Sequence, residues 1–418
     1  MRRCPRYFVC LYALLFLTGI ASTLQAQSFT YLWDGDTNSD WSTTTNWNVF
    51  GGDPMPGLGD PLIPNNTVRV EIAVDGLGAD PAPIIDTDNA VVHQIRIGRS
   101  EGPGKLTITG GSLSTGSEVG TVKARVGNGG AGTLVISGGT LNVINGTLTT
   151  GDGGDFKGQI NMTGGAINIT GANRDLNMDE LPTGFNNAQS NINMSAGTIT
   201  IADVLLVDHF ASIDLSGGTI TAAAEQPGAI RVRRDGEIRV TGGLLESKDD
   251  LELGNGSIPG GTIKIDGGIV RALSFSGAGA AGEIKINDDG LLQFLNMNET
   301  VAEVEAYITS GLFTTSAMSG LDVTTVDVSG MLYTQVAVAF AGVLGDFDSD
   351  GDVDGRDFLL WQRGGSPTPF SGADLATWQS NYGAPLMAVT AVPEPTCLCW
   401  LAVTTFGWIA ACSRRRCV

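Results

Sequence analysis

From residue 104 onward the apolar positions fall into one recurring phrase. KLTITGGSL, TLVISGGTLNV, QINMTGGAINI, NINMSAGTITI, SIDLSGGTIT, EIRVTGGLL, TIKIDGGIV and EIKINDDGLL share a grammar: apolar residues at i, i+2 and i+7, and a small pair at i+4 and i+5. The first copies give Leu106/Ile108/Leu113, Leu134/Ile136/Leu141 and Ile160/Met162/Ile167. Ile192/Met194/Ile199, Ile213/Leu215/Ile220, Ile238/Val240/Leu245, Ile263/Ile265/Val270 and Ile284/Ile286/Leu291 follow, the last with Asp288-Asp289 at the corner. Alternation with period two on both sides of the pair predicts two short strands, each with one buried face, joined at a tight turn.

Successive copies begin 21 to 32 residues apart, a length that suits one coil of a β-solenoid. A third strand per coil precedes many phrases, as in Ile95-Arg-Ile97-Gly98, Ala124-Arg-Val126-Gly127, Ile230-Arg-Val232 and Leu251-Glu-Leu253-Gly254. Three strands per turn imply a roughly triangular coil with inward aliphatic ladders and about eight coils in parallel stack. A sandwich or propeller would repeat too, but its antiparallel blades need longer hairpin strands. The body, residues 90–297, resembles the autotransporter-type and pectate-lyase-like β-helical repeats of exported bacterial proteins, which implies a right-handed β-helix.

Composition agrees with an all-β chain: 59 glycines among 418 residues supply turns, and only 16% of residues are charged. The ends read differently from the body. Residues 1–26, with Arg2, Arg3 and Arg6 before the apolar run Phe8–Ile20 and small residues at Ala21 and Ala26, predict a secretory signal peptide. Residues 393–418 hold an apolar run from Thr396 to Cys412 followed by Arg414, Arg415 and Arg416, which predicts a C-terminal transmembrane helix with the body outside. Pro393-Glu394-Pro395, the apolar span and the arginine cluster resemble a PEP-CTERM sorting signal. That resemblance implies a transient membrane anchor, removed by an exosortase-type protease, and a cell-surface or extracellular location.

All six cysteines lie in these two end segments, so the body has no disulfide and no thiolate metal site. The same segments hold six of the 24 basic residues and only one of the 44 acidic ones. The chain is acidic at −20 overall, and without its ends more so, which argues against nucleic acid as a partner.

Open solenoid ends invite edge-to-edge association, so both should be covered. Residues 27–89 carry Trp33, Trp41 and Trp47 and resemble the Trp-rich lead-in of planctomycete autotransporter-like surface proteins. A cap is the expected role, with a sugar-stacking platform as the alternative. At residues 298–342, NETVAEVEAYITSG predicts a short helix with Asn298 as N-cap and Val301, Val304 and Ile308 on one face, and DVTTVDVSGMLYTQVAVAF predicts terminal strands.

The stretch GDFDSDGDVDGRDFLLW places aspartates at the ligand spacing of a calcium loop. Asp346, Asp348 and Asp350 take positions 1, 3 and 5, and Gly351 makes the sharp turn. Asp352 offers a backbone carbonyl, and Asp354 and Asp357 take positions 9 and 12. Many oxygens around an irregular loop suit Ca²⁺ better than Mg²⁺, whereas a plain acidic turn would hold nothing. Aspartate at the last position and the following Phe358-Leu-Leu-Trp361 resemble a type I dockerin over residues 343–386. The echo Asp374-Leu-Ala-Thr-Trp378 supplies the second half, although Arg363, Gly365 and Pro367 stand where its ligands belong. The resemblance therefore implies two helices and one Ca²⁺, with a cohesin-like domain as a candidate partner; the alternative is a calcium-rigidified spacer that packs Trp361 against Trp378. Residues 387–392 link this module to the tail.

A catalytic constellation is not legible. His93 and His209 lack the Gly-His-Gly and Arg-x-Lys context of polygalacturonase-like sites and read as polar positions beside strands. Asp152/Asp155, Asp249/Asp250 and Asp288/Asp289 are carboxylate pairs in turn contexts, and Arg231, Arg233 and Arg234 could face an anionic glycan or simply water. The leading expectation is an exported, non-enzymatic surface or matrix protein with a structural, adhesive or polysaccharide-contact role. The rival is a polysaccharide lyase or glycoside hydrolase attached through its dockerin.

Overall fold

The computed structural model describes residues 29–33, 35, 37–50, 68–73, 81–87, 89–99, 102–115, 122–152, 157–171, 174–178, 189–224, 228–277, 282–339, 345–348, 352–366 and 370–383. The expected signal peptide, linker and PEP-CTERM anchor lie outside these residues. Among the described residues no helix is long and apolar enough to cross a membrane.

The chain divides into two compact units, 1–339 and 340–418. The first is a parallel β-solenoid of about eight turns. One face is an 11-stranded sheet running from Trp47–Phe50 and Phe29–Trp33 through Val68–Ile72, Gln94–Ile97 and Val122–Asn128 to Ser274–Ser276. The two phrase strands of each coil supply the other faces and are joined into a 17-stranded sheet. Rung lies over rung in parallel: Leu106 pairs with Leu134, Leu134 with Ile160, Ile160 with Ile192, Ile192 with Ile213, and so on to Ile284 and Phe313. Each of these side chains is almost fully buried. Complete burial of one such side chain is worth roughly 1.5–3 kcal/mol, so the ladders are the main source of stability.

The corner needs glycine for two reasons, both visible at Gly139. Its φ is +64°, and a Cβ would approach the Gly110 carbonyl oxygen of the rung below to 2.2 Å. Four coils do not break at the corner at all. Gly158–Thr170, Asn191–Ile201, Glu237–Ser247 and Thr262–Ala272 run through it as single bent strands with local register shifts. The last coil departs from the expected register. Its corner, Asn287–Gly290, holds one extra residue, so Val270 stacks on Leu292, which is fully buried, and Leu291 pairs with Ile269 instead. There the positive φ falls on Asp288, at 47°.

At the N-terminal end Trp33 and Trp41 meet the ring of Trp47 edge-on at 4.8 and 4.7 Å, and all three are buried. Trp33 Nε1 donates to Pro81 O and Trp47 Nε1 to Trp41 O. Rings committed in this way offer no flat platform to a sugar. At the other end α1, Val301–Thr309, lays Val304 into a cluster with Phe275, Phe294, Phe313 and Tyr307. Its N-cap is Thr300, not Asn298: the Thr300 hydroxyl and the Glu303 carboxylate form a capping box. Glu299 turns inward instead, accepting from the Phe275 N–H at 2.9 Å and the Tyr307 hydroxyl at 3.1 Å. Burial holds its carboxyl above the usual range, and burial beside it pushes Tyr307 up to about 12.

Two antiparallel strands finish the first unit. Met331–Val338 pairs with the last coil, and Leu321–Val328 pairs with Met331–Val338. Among the described residues no strand pairs with the outer edge of Leu321–Val328.

Candidate metal centre

The second unit is built around Asp357. Gly345 opens the loop at φ +101°, where a Cβ would lie 2.7 Å from Trp378 Cα, so only glycine lets the chain pass this close to the second helix. Two helices follow, α2 over Gly355–Gln362 and α3 over Gly372–Asn381. Asp354 caps α2: its Oδ1 accepts from Arg356 N at 2.6 Å, and Asp357 reaches back to Asp354 N at 2.8 Å. This capping box fixes the Asp357 carboxylate at the N-terminal turn, where the helix dipole favours negative charge.

Asp357 is fully buried. Its Oδ1 accepts from Phe347 N at 2.6 Å and Asp348 N at 3.0 Å, so one carboxylate ties both limbs of the loop to the start of α2. Ligand oxygens of Asp346, Asp348 and Asp357 lie within 4.8 Å of one another, and those of Asp352, Asp354 and Asp357 form a second such group. Asp357 is the shared member. Asp350 and Gly351 lie outside the described residues.

This donor set fits a hard divalent cation. It is all oxygen and anionic, and it converges from both limbs onto one buried carboxylate, as Ca²⁺ sites require. The arrangement also limits how Asp357 could serve. A carboxylate has about four lone-pair directions, and three here are engaged by backbone N–H groups, leaving one on Oδ2. Asp357 could thus offer a single bond to an ion, with the remaining oxygens coming from Asp346, Asp348, Asp352 and Asp354. The Asp352 carboxylate also lies in the second of these groups, beside the backbone carbonyl that the loop spacing assigns to it.

The aromatic packing differs from the expected Trp361–Trp378 contact. Phe358 sits between the two, 5.7 Å from the Trp361 ring and 4.8 Å from Trp378, and Trp378 meets Tyr382 at 5.0 Å. The indoles instead anchor backbone: Trp361 Nε1 donates to Ser371 O and Trp378 Nε1 to Asp354 O. The Phe358 and Trp361 spacing of three residues on α2 was the sequence signal for this stack. Pro367 lies outside the described residues. Arg363 and Gly365 occupy the turn after α2, and no carboxylate replaces them.

The other candidates are scattered over the first unit. His93 and His209 are half-buried beside strands, His209 in a left-handed turn at φ 46° with its N–H on Asp208. Arg231 and Arg233 face Glu252 at 3.5 and 2.7 Å, and Arg234 pairs with Asp208. Burial, followed by the neighbouring Asp250, holds the Asp249 carboxyl above its usual range, while Asp250 accepts from the Ser274 hydroxyl. Asp288 lies in the extra-long corner, and Asp155 is outside the described residues. No family model matches the chain, and neither the curated proteins nor the solved structures contain a match.

Proposed function

We propose that the chain is an exported, non-enzymatic β-solenoid protein of the cell surface or extracellular matrix. It carries a dockerin-like module ordered by one Ca²⁺, is sorted by a PEP-CTERM-type tail that an exosortase-type protease trims, and contacts extracellular polysaccharide through its body. A cohesin-like domain is a candidate partner of the module. The observation that carries the reading is the convergence of the loop carboxylates on buried Asp357. Five like charges gathered this closely are costly unless a cation neutralises them. Support for a non-enzymatic body comes from its polar groups: the 231–234 arginines are spent on Glu252 and Asp208. One feature favours the rival lyase or hydrolase reading, the raised carboxyl of Asp249 beside Asp250.

The test is a calorimetric titration of the full exported chain with Ca²⁺, in parallel with turnover assays on acidic and neutral polysaccharides. One saturable event, lost in Asp346→Ala, and no turnover are expected. Absence of that event rejects the calcium module, and turnover abolished by Asp249→Asn establishes the enzyme.

A further inference from the structure

Three Asn-Gly pairs occur in the chain, Asn128-Gly129, Asn145-Gly146 and Asn255-Gly256, and the fold holds one of them differently from the others. Asn128 ends the strand Val122–Asn128: its N–H donates to Gly98 O of the preceding coil at 3.2 Å, and it pairs in register with Asp152 of the next. Asn145 donates through its N–H to Thr170 O of the next coil at 2.8 Å. Its side-chain oxygen lies against Gly171, where an added Cβ would meet it at 2.4 Å, and Gly146 is buried. Both asparagines are half-buried.

Asn255 stands outside the ladders. It opens a two-residue hairpin loop, Gly256-Ser257, closed by two reciprocal bonds: Asn255 N–H to Ile258 O at 3.0 Å and Ile258 N–H to Asn255 O at 2.7 Å. Asn255, Gly256 and Ser257 are exposed. Gly256 has φ +44°, at the first loop position where such turns favour glycine, and nothing approaches within 4 Å of where its Cβ would stand. Among the described residues neither the Asn255 side-chain amide nor the Gly256 N–H makes a hydrogen bond. An unengaged amide carbon and an unshielded nitrogen are thus neighbours along the chain.

We infer that Asn255 is a site of spontaneous self-modification, in which the Gly256 backbone nitrogen displaces the side-chain amide of Asn255. The nitrogen gives its proton to hydroxide and bonds to the side-chain carbonyl carbon. The carbon–NH₂ bond breaks, ammonia leaves with a proton from water, and a five-membered imide remains. Water then opens the ring at either carbonyl, so amide and water become carboxylate and ammonium, as aspartate or isoaspartate, with no change of oxidation state. The absent Cβ of Gly256 keeps the nitrogen unhindered. Turning the 255–256 peptide into the attacking pose costs the two bonds to Ile258, whereas at Asn128 and Asn145 it would break bonds between coils.

The product changes the stack locally. Isoaspartate sends the main chain through an extra methylene, which the closed hairpin does not span unchanged. The limb beyond it joins coils, since Arg234 N–H donates to Pro259 O at 2.8 Å and Arg233 bridges Gly260. The modification therefore adds a negative charge and loosens one joint of the solenoid, independently of the calcium module and of any polysaccharide contact.

The experiment holds the full chain in mildly alkaline buffer, folded and in guanidinium chloride, and digests it with trypsin after increasing times. Peptide 249–264 contains Asn255 as its only asparagine, and fragment ions of peptide 126–157 distinguish Asn128 from Asn145. In the folded chain Asn255 should convert at least about tenfold faster than either of the others, with aspartate and isoaspartate forms separated by chromatography. In guanidinium the rates at all three should agree within about threefold. Gly256→Ala should slow conversion at Asn255 at least about tenfold by shielding the nitrogen. The folded-against-unfolded comparison uses the wild-type chain and stands whether or not alanine at φ +44° disturbs the turn. Amide exchange at Arg234 should rise at least about threefold in the isoaspartate form. Equal rates at the three sites in the folded chain, slower conversion at Asn255, or an undiminished rate in folded Gly256→Ala overturns the site. Unchanged exchange at Arg234 overturns the loosened joint.

Discussion

Ile213 in the solenoid lies between Ile192 below and Ile238 above, and any of the three could stand in another's place. Asp357 in the second unit has no equivalent: it alone holds Phe347 N, Asp348 N and Asp354 N and belongs to both carboxylate groups. Stability in the first region is a sum over similar rungs, each worth about the same. In the second it depends on one hub and on the charge gathered around it. A repeat can therefore drift in sequence while its periodicity survives, whereas the loop tolerates little change at a few fixed positions.

The sharpest way to break this contrast is a charge in the ladder. Ile213→Asp should cost about 5 kcal/mol or more by burying an unpaired carboxylate, with urea unfolding of the solenoid losing cooperativity and calcium binding unaffected. Asp357→Ala should remove three charge-assisted bonds and half of a capping box, costing the second unit about 3 kcal/mol. Hydrogen exchange in α2 and the loss of the calcium event would report it, with the solenoid transition unmoved.

A gain sharpens the same comparison. Thr150 sits in an aliphatic ladder between Val126 and Met178, 1% exposed, and its hydroxyl has no hydrogen-bond partner among the described residues. Thr150→Val should stabilise the solenoid by about 1 kcal/mol, read as a higher urea midpoint at unchanged slope.

The smallest effect concerns the C-terminal cap. Burial raises the Glu299 carboxyl above its unfolded value of 4.5, so the folded chain keeps a proton that the unfolded chain releases. Its contribution is complete below that value and is lost as pH rises through the folded value. Between pH 4 and 7 the wild-type midpoint should therefore fall relative to that of Glu299→Gln, and parallel curves would refute the assignment.

The coils were legible in the sequence because period-two alternation and the glycine pair are local signals repeated eight times. Ladder membership was correct from Leu106 to Ile286 and slipped only at Leu291, where one inserted residue in Asn287–Gly290 leaves no mark in an apolar pattern. The cap of α1 was misplaced because Asn298 and Thr300 are both good N-caps, and only the inward turn of Glu299 decides between them. In the loop the spacing pointed to the carboxylates, while the three N–H bonds at Asp357 follow from a fold that spacing does not encode.

The outermost strand, LDVTTVDV, reads almost alike in both directions. If two molecules met along it head to tail, centred between Thr324 and Thr325, each Asp322 would confront the other's Asp327. Two like-charge oppositions in one short seam penalise that union, a built-in guard against two molecules pairing through this edge.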